Sequence, residues 1–149
     1  MGGTRVDPIP ANSFWLEIGQ DKVATFKEVS GLESETEVRE LQQSGKGGKA
    51  VIIKSQGATT LKPGKVTVKY AAFKDDPILK WRQDVVDGKM EKARKSCSIV
   101  LYTVEDKEIM RFNLSNAWPS KYSWSNLSAK SNEALEITVI IEHEGLAVV

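Results

Sequence analysis

The chain has one cysteine and one histidine in 149 residues. A lone Cys97 rules out a disulfide framework within the chain and any four-thiolate metal site. With a lone His143, every Ser–His or Cys–His nucleophile pair would have to use that one imidazole. It stands in "IIEHEG", where strand alternation turns Glu142 and Glu144 to the opposite face, so the three do not chelate one ion. A polar strand-end residue is the plain reading of His143, and a small core residue that of Cys97. No apolar run approaches the roughly 18 residues needed to span a bilayer, so the subunit is not expected to insert into a membrane. The opening "MGGTRVDPIPANSF" lacks the charged and apolar regions of a secretory signal, and assembly in the cytoplasm is the expectation. Charge of one sign is also scarce: Lys and Arg number 21 against 20 Asp and Glu, a net +1 that does not describe a general polyanion binder. "GKGGK" lacks the trailing hydroxyl residue and the preceding strand of a phosphate cradle. No catalytic residue, metal site or cofactor is expected.

What is present is mostly two-residue periodicity. "NSFWLEIG" sets Phe14, Leu16 and Ile18 on one face, and "VATFKEVSG" returns after Gly19–Lys22, a hairpin pattern. "ETEVREL", "AVIIK", "KVTVKY", "SCSIVLYTV", "EIMRFNL" and "EALEITVIIEHEG" read as further strands. "DDPILKWRQDVVDG" departs from this pattern. Asp76 is placed as an N-cap, Pro77 at the first helical position and Gly88 just past the end. Ile78, Trp81, Arg82 and Val85 recur at helical spacing, which predicts a helix over Pro77 to Asp87 with Ile78, Trp81 and Val85 packed inward. Seven or eight short strands and one helix predict a mainly β domain spanning 1–149, an antiparallel β-sandwich or barrel with one packed α-helix. Residues 1–11 are expected as a flexible arm and 42–60 as an extended loop.

Two local features call for an explanation. "FNLSNAWPSKYSW" holds Asn116, Trp118, Pro119, Tyr122 and Trp124. Proline cannot donate to a sheet ladder, so the stretch predicts a stiff aromatic corner between two strands. Charge is also segregated. Glu28, Glu33, Glu35, Glu37 and Glu40 crowd one short run, and the next, from Gln42 to Lys74, has seven lysines and no acid. Lys46, Gly47, Gly48, Lys49 and Lys54 would then form a basic extension that meets Glu33, Glu35 and Glu37 on another copy. A solvated loop beside a lysine-blunted edge strand explains the same pattern. Nucleic-acid binding is a third reading, weakened by the missing arginines and aromatics among these lysines.

Asn116-Ala117-Trp118-Pro119-Ser120-Lys121, Ser131-Asn132-Glu133 and His143-Glu144-Gly145-Leu146 resemble a phrase of the tail tube proteins of contractile-tailed phages and bacterial contractile injection systems. "FKEVSGLESETEV", Phe26 to Val38, is similar to an upstream phrase of that family, and "TTLKPGKVTVKYAAFKDDPILKW" to its strand-then-helix centre. The likeness runs from about Asn12 to Leu146. It departs at "ELQQSGKGGKAVIIKSQGATT", which is rich in lysine. The resemblance implies a structural inner-tube subunit. Its hexameric rings would stack into a hollow tube inside a contractile sheath, with baseplate or spike and tube-cap proteins at the ends and an effector or DNA in the lumen. A tube-initiating or baseplate-adaptor subunit of the same family is the alternative within the class.

Overall fold

Strand alternation decides most of the architecture. The computed structural model describes residues 13–36, 38–44, 50–56, 62–125 and 135–149. Ser13–Ile18 (β1) and Asp21–Phe26 (β2) form the expected hairpin, with Gly19 at a positive φ in its turn. Glu28–Ser30 (β3), Val38–Ser44 (β4), Ala50–Gln56 (β5) and Gly64–Ala71 (β6) follow. After the helices Pro77–Val86 (α1) and Met90–Ala93 (α2) come Lys95–Tyr102 (β7), Glu108–Trp124 (β8), Glu136–His143 (β9) and Gly145–Val148 (β10). The main sheet runs β2-β1-β7-β8-β9-β6-β3, with β10 paired to β8, and every pairing is antiparallel. The fold is mainly β, as the alternation predicts.

The two ends of that order, β2 and β3, are consecutive in sequence and separated only by Lys27. The Lys27 amide donates to the Lys69 carbonyl at 2.7 Å as the chain passes from β1's side to β6. The sheet therefore curls until its last strand is the continuation of its first, a barrel-like closure. Gly31, in the "VSGL" phrase, sits at a φ of +83° just after β3, and a Cβ there would lie 2.8 Å from the Lys65 carbonyl oxygen. Only glycine fits that turn against β6.

The predicted corner is not a joint between two strands. β8 is continuous for 17 residues and belongs to both sides of the barrel. Its first half pairs with β7 up to Ala117, and its second half, from Trp118 to Trp124, pairs with β9. The change of direction is made inside the strand. Asn116 takes a left-handed φ of 46°, and the register slips between Pro119 and Lys121, leaving Ser120 as a bulge. Proline is tolerated here because a bulge already interrupts the ladder, and Pro119 is fully buried.

The core lies inside the barrel and under α1. Leu16, Val66, Val68, Ile99, Ile137 and Ile141 are wholly buried, each worth roughly 1.5–3 kcal/mol relative to exposure. Asp76 caps α1 by accepting from the Ile78 amide at 2.9 Å, Pro77 opens the helix, and Gly88 follows its end at positive φ. Asp87 is the C-cap, so the helix ends one residue before the predicted boundary. α2 was not foreseen; four residues are too short to show a period. It is held because Trp81 Nε1 donates to the Ala93 carbonyl and Ala93 is fully buried.

Candidate assembly surface

The segment expected as an extended loop over 42–60 is, where described, a β-hairpin. β4 and β5 pair over seven residues each, from Val38↔Gln56 to Ser44↔Ala50, and form a two-stranded sheet of their own. A lone hairpin is marginal in water unless something covers it. Val38 and Ile52 nonetheless expose 63% of their surface. Lys62 anchors the approach to the hairpin: its amide donates to the Glu35 carbonyl at 2.7 Å and its ammonium meets the Glu35 carboxylate at 3.2 Å. Lys46, Gly47, Gly48, Lys49 and Glu37 lie outside the described residues.

The acidic and basic runs meet within one chain. Glu40 faces Lys54 at 3.9 Å, Glu35 faces Lys62, and Glu28 faces Lys69 at 3.8 Å across the β3–β6 pair. All are solvent-exposed pairs, worth about 0–1 kcal/mol each. They do not carry the fold, but they neutralise lysines that composition alone leaves free. Glu33 is exposed.

At the bend of β8 the aromatic residues take separate roles. Tyr122 points inward and donates to the Asp76 carboxylate at 2.6 Å, while Tyr70 donates to the same carboxylate from β6. Asp76 is almost completely buried, so one carboxylate caps α1 and binds two strands. Burial raises both tyrosines, helped by the bond to Asp76; Tyr70 lies far above the usual range and Tyr122 is pushed up to about 12. Arg82 of α1 reaches the Pro119 carbonyl at 3.3 Å, a second tie between helix and bend. Trp118 is half-buried opposite Glu142, and Trp124 exposes 53% of its surface beside Tyr122. Ile78 and Trp81 are buried and Val85 is packed partly against the core.

A continuous hairpin-and-barrel chain of this kind matches one family along nearly its whole length, residues 10–147. The chain belongs to the T4-like virus tail tube protein gp19 family. It is a tail tube protein, a structural subunit. No curated protein sequence gives a match. Solved structures show the same fold at low identity. The anti-feeding prophage tube-terminating cap superposes with a TM-score of 0.72 at 18% identity, covering 100% of this chain and 95% of that one. A chain of the sheath–tube complex of an extracellular contractile injection system, PVC, gives 0.69 at 19%, covering 95% and 91%. Hcp1 from Flavobacterium johnsoniae gives 0.55 at 14%, covering 92% and 94%.

Two features of this tail tube protein were not legible in its sequence. On the outward face of β1, β7 and β8, Trp15 stacks edge-on to Tyr102 at 4.2 Å, with Lys22 over the Trp15 ring. Arg111 bonds Glu17 at 2.8 Å and Glu108 at 2.6 Å beside them. These neighbours cover Val100, which is fully buried although its strand position faces away from the barrel core. His143 is the second feature. It is 5% exposed where β9 hands over to β10, its Nδ1 finds no hydrogen-bond partner among the described residues, and the Gly64 backbone lies close against the ring. Desolvation lowers its pKa, opposed in part by the nearby Glu142 carboxylate. Cys97 is buried, and burial pushes its thiol up to about 12. Among the described residues no three His, Cys, Asp or Glu side chains are grouped to hold a metal, and no helix is long and apolar enough to cross a membrane.

Proposed function

We propose that this tail tube protein forms the inner tube of a contractile particle. Copies join in six-fold rings, and the rings stack into a hollow channel within a contractile sheath. The β4–β5 hairpin carries this reading: a two-stranded sheet with exposed Val38 and Ile52 gains stability when another copy covers it. Glu33, Glu37 and the lysines of the sequence run Lys46-Gly47-Gly48-Lys49 supply charges for that stacking contact, whereas Lys54 and Glu35 are engaged within the chain by Glu40 and Lys62. Head-to-tail stacking needs two different complementary surfaces, and the β4–β5 pair docking on the next ring meets that need. The bend of β8, locked to α1 through Asp76, Tyr122 and Arg82, keeps the barrel rigid while the hairpin engages its neighbour. Sheath, cap and baseplate proteins are the expected partners, in keeping with the particles in which the similar folds occur, and an effector or nucleic acid would occupy the lumen. Assembly would take place in the cytoplasm.

A cap or baseplate-adaptor role is the second reading, favoured by the similarity to the anti-feeding prophage cap and baseplate chains. Electron microscopy of the purified chain separates the two. Long tubes support the main-tube role, single rings support the cap or adaptor, and a monomer at every accessible concentration overturns both. A nucleic-acid-binding role has less support, because Lys54, Lys62 and Lys69 are already paired with glutamates.

A further inference from the structure

We propose that His143 is an acid-sensitive latch on the C-terminal strand, keeping β10 on β8 while neutral and releasing it when protonated. The device lies within the single chain and does not depend on the tube reading. His143 ends the inward row of β9, after Ile137, Val139 and Ile141, and is the one ionisable side chain in that row. Its ring lies against the β6 backbone: a Cβ on Gly64, its partner in register, would come within 3.3 Å of both Cε1 and Nε2. No group among the described residues meets Nδ1. Protonation turns both ring nitrogens into donors, so it would leave a buried charge with an N–H that has no acceptor.

The charged groups around the ring do not supply that acceptor. On β9 itself, alternation turns Glu142 to the opposite face, where Ser120 Oγ of β8 donates to it at 3.2 Å. Glu144, the next residue, is exposed and accepts from Asn116 Nδ2 at 2.7 Å. On β6 the neighbouring ion is Lys65, exposed and opposite Glu142 in register, and Lys62 ahead of the strand is bound to Glu35. Ser115 to Ser120 of β8 and Gly145 to Val148 of β10 contain no ionisable side chain. Desolvation therefore outweighs the attraction of Glu142 and holds the imidazole neutral. Once the corner opens, strand alternation is lost and the two glutamates flank the imidazolium in water.

Position decides that β10 gives way first. His143 and Gly64 are the terminal pair of the β6–β9 ladder, so the ring can leave without breaking the seven pairs behind it. Glu144 is the single residue between β9 and β10, and its amide donates to the Ser115 carbonyl at 2.8 Å. Moving His143 outward pulls on that bond and on the Asn116–Glu144 tie. β10 itself is four residues long, buries Gly145 and Leu146, exposes Ala147 and Val148, and among the described residues pairs with β8 alone. A short element with few buried contacts opens at the lowest cost in a fold. The proton is bound more tightly in the open form, so below about pH 6.5 the open fraction rises, by up to about tenfold per pH unit.

Hydrogen exchange of the full chain across the weakly acidic range, corrected for the intrinsic pH dependence of amide exchange, tests the latch. Protection at residues 144–149 should fall about tenfold per pH unit below about 6.5, while the amides of β1 and β7 keep theirs. His143→Gln should remove the pH dependence at 144–149. The single histidine also gives a single imidazole titration by NMR, read on the unmodified protein should the variant fail to fold. Its midpoint should lie below about 6.5 and coincide with the loss of protection at 144–149. Protection there that is constant with pH, that falls equally in β1 and β7, or that keeps its pH dependence in His143→Gln overturns the latch. An imidazole that titrates at its ordinary value overturns it as well.

Discussion

Tyr122, on the second half of β8, donates its phenol proton to Asp76, the residue that caps α1, across 2.6 Å and 46 positions of sequence. Tyr70 supplies a second phenol to the same carboxylate. One buried acid thus joins the bent strand, the helix start and β6. Removing it leaves two phenols and a helix N–H without their partner.

Asp76→Ala should therefore destabilise the monomer by about 2–4 kcal/mol, combining loss of a cap with unsatisfied buried donors. Tyr122→Phe, which removes one donor and leaves the cap, should cost about 1–2 kcal/mol. Urea unfolding of each variant and of the double variant measures both. A loss below about half a kilocalorie for Asp76→Ala, the range of ordinary surface sites, would contradict the role assigned to this carboxylate.

The same cluster predicts an alkaline limit. Tyr122 is raised in the fold to about 12 from an ordinary value near 10, and Tyr70 moves in the same direction. A group raised on folding contributes stability that is complete below its unfolded pKa and lost as pH rises through the folded one. Unfolding free energy should fall between about pH 10 and 12, and Tyr122→Phe should flatten that fall. A profile identical in the variant would remove Tyr122 as its cause.

His143 gives the opposite slope. Burial lowers its pKa in the fold, so the unfolded chain binds the proton more readily and stability drops as pH falls below about 6.5. His143→Gln should weaken the pH dependence between about 5 and 6.5, ahead of the carboxylate titrations. Equal slopes for variant and parent would show that the imidazole is solvated.

Trp81 is 2% exposed and bonded to Ala93, so Trp81→Ala should cost about 3–5 kcal/mol and also free α2. Thermal unfolding reports the first effect, and hydrogen exchange at Met90–Ala93 the second.

The hairpin should behave in the reverse manner. Val38→Glu with Ile52→Glu should leave monomer stability within about half a kilocalorie while blocking tube growth, because both side chains already face solvent in the single chain. Reversing Lys46 and Lys49 to Glu should slow growth chiefly at low salt, where screening is weak. Tubes of normal length in all of these variants would move the stacking contact away from the hairpin.

Much of this was legible in the residues. Alternation in "NSFWLEIG" and "EITVIIEH" marks β1 and β9, and Asp76, Pro77 and Gly88 bracket α1 to within one residue. Each of these signals acts over a few positions, through side-chain period or backbone preference. The short phrases around Trp118, Gly31 and His143 were enough to indicate the family, and the match over residues 10–147 agrees with them. Pro119 was misleading for a physical reason. A proline excludes an ordinary ladder, but whether the chain then turns or bulges depends on the strand beside it, here β9.

By itself the sequence determined the strand periods, the helix and its caps, and the absence of the residues that most site chemistry requires. Only the tertiary structure decided that β8 serves both sides of the barrel, that Tyr70 and Tyr122 converge on Asp76, and that the glutamate and lysine runs meet within one chain. Apart from Tyr70–Asp76, these are contacts between residues well separated in sequence. No local period or propensity encodes them, because they form only when the sheet curls and carries distant strands into the same few ångströms.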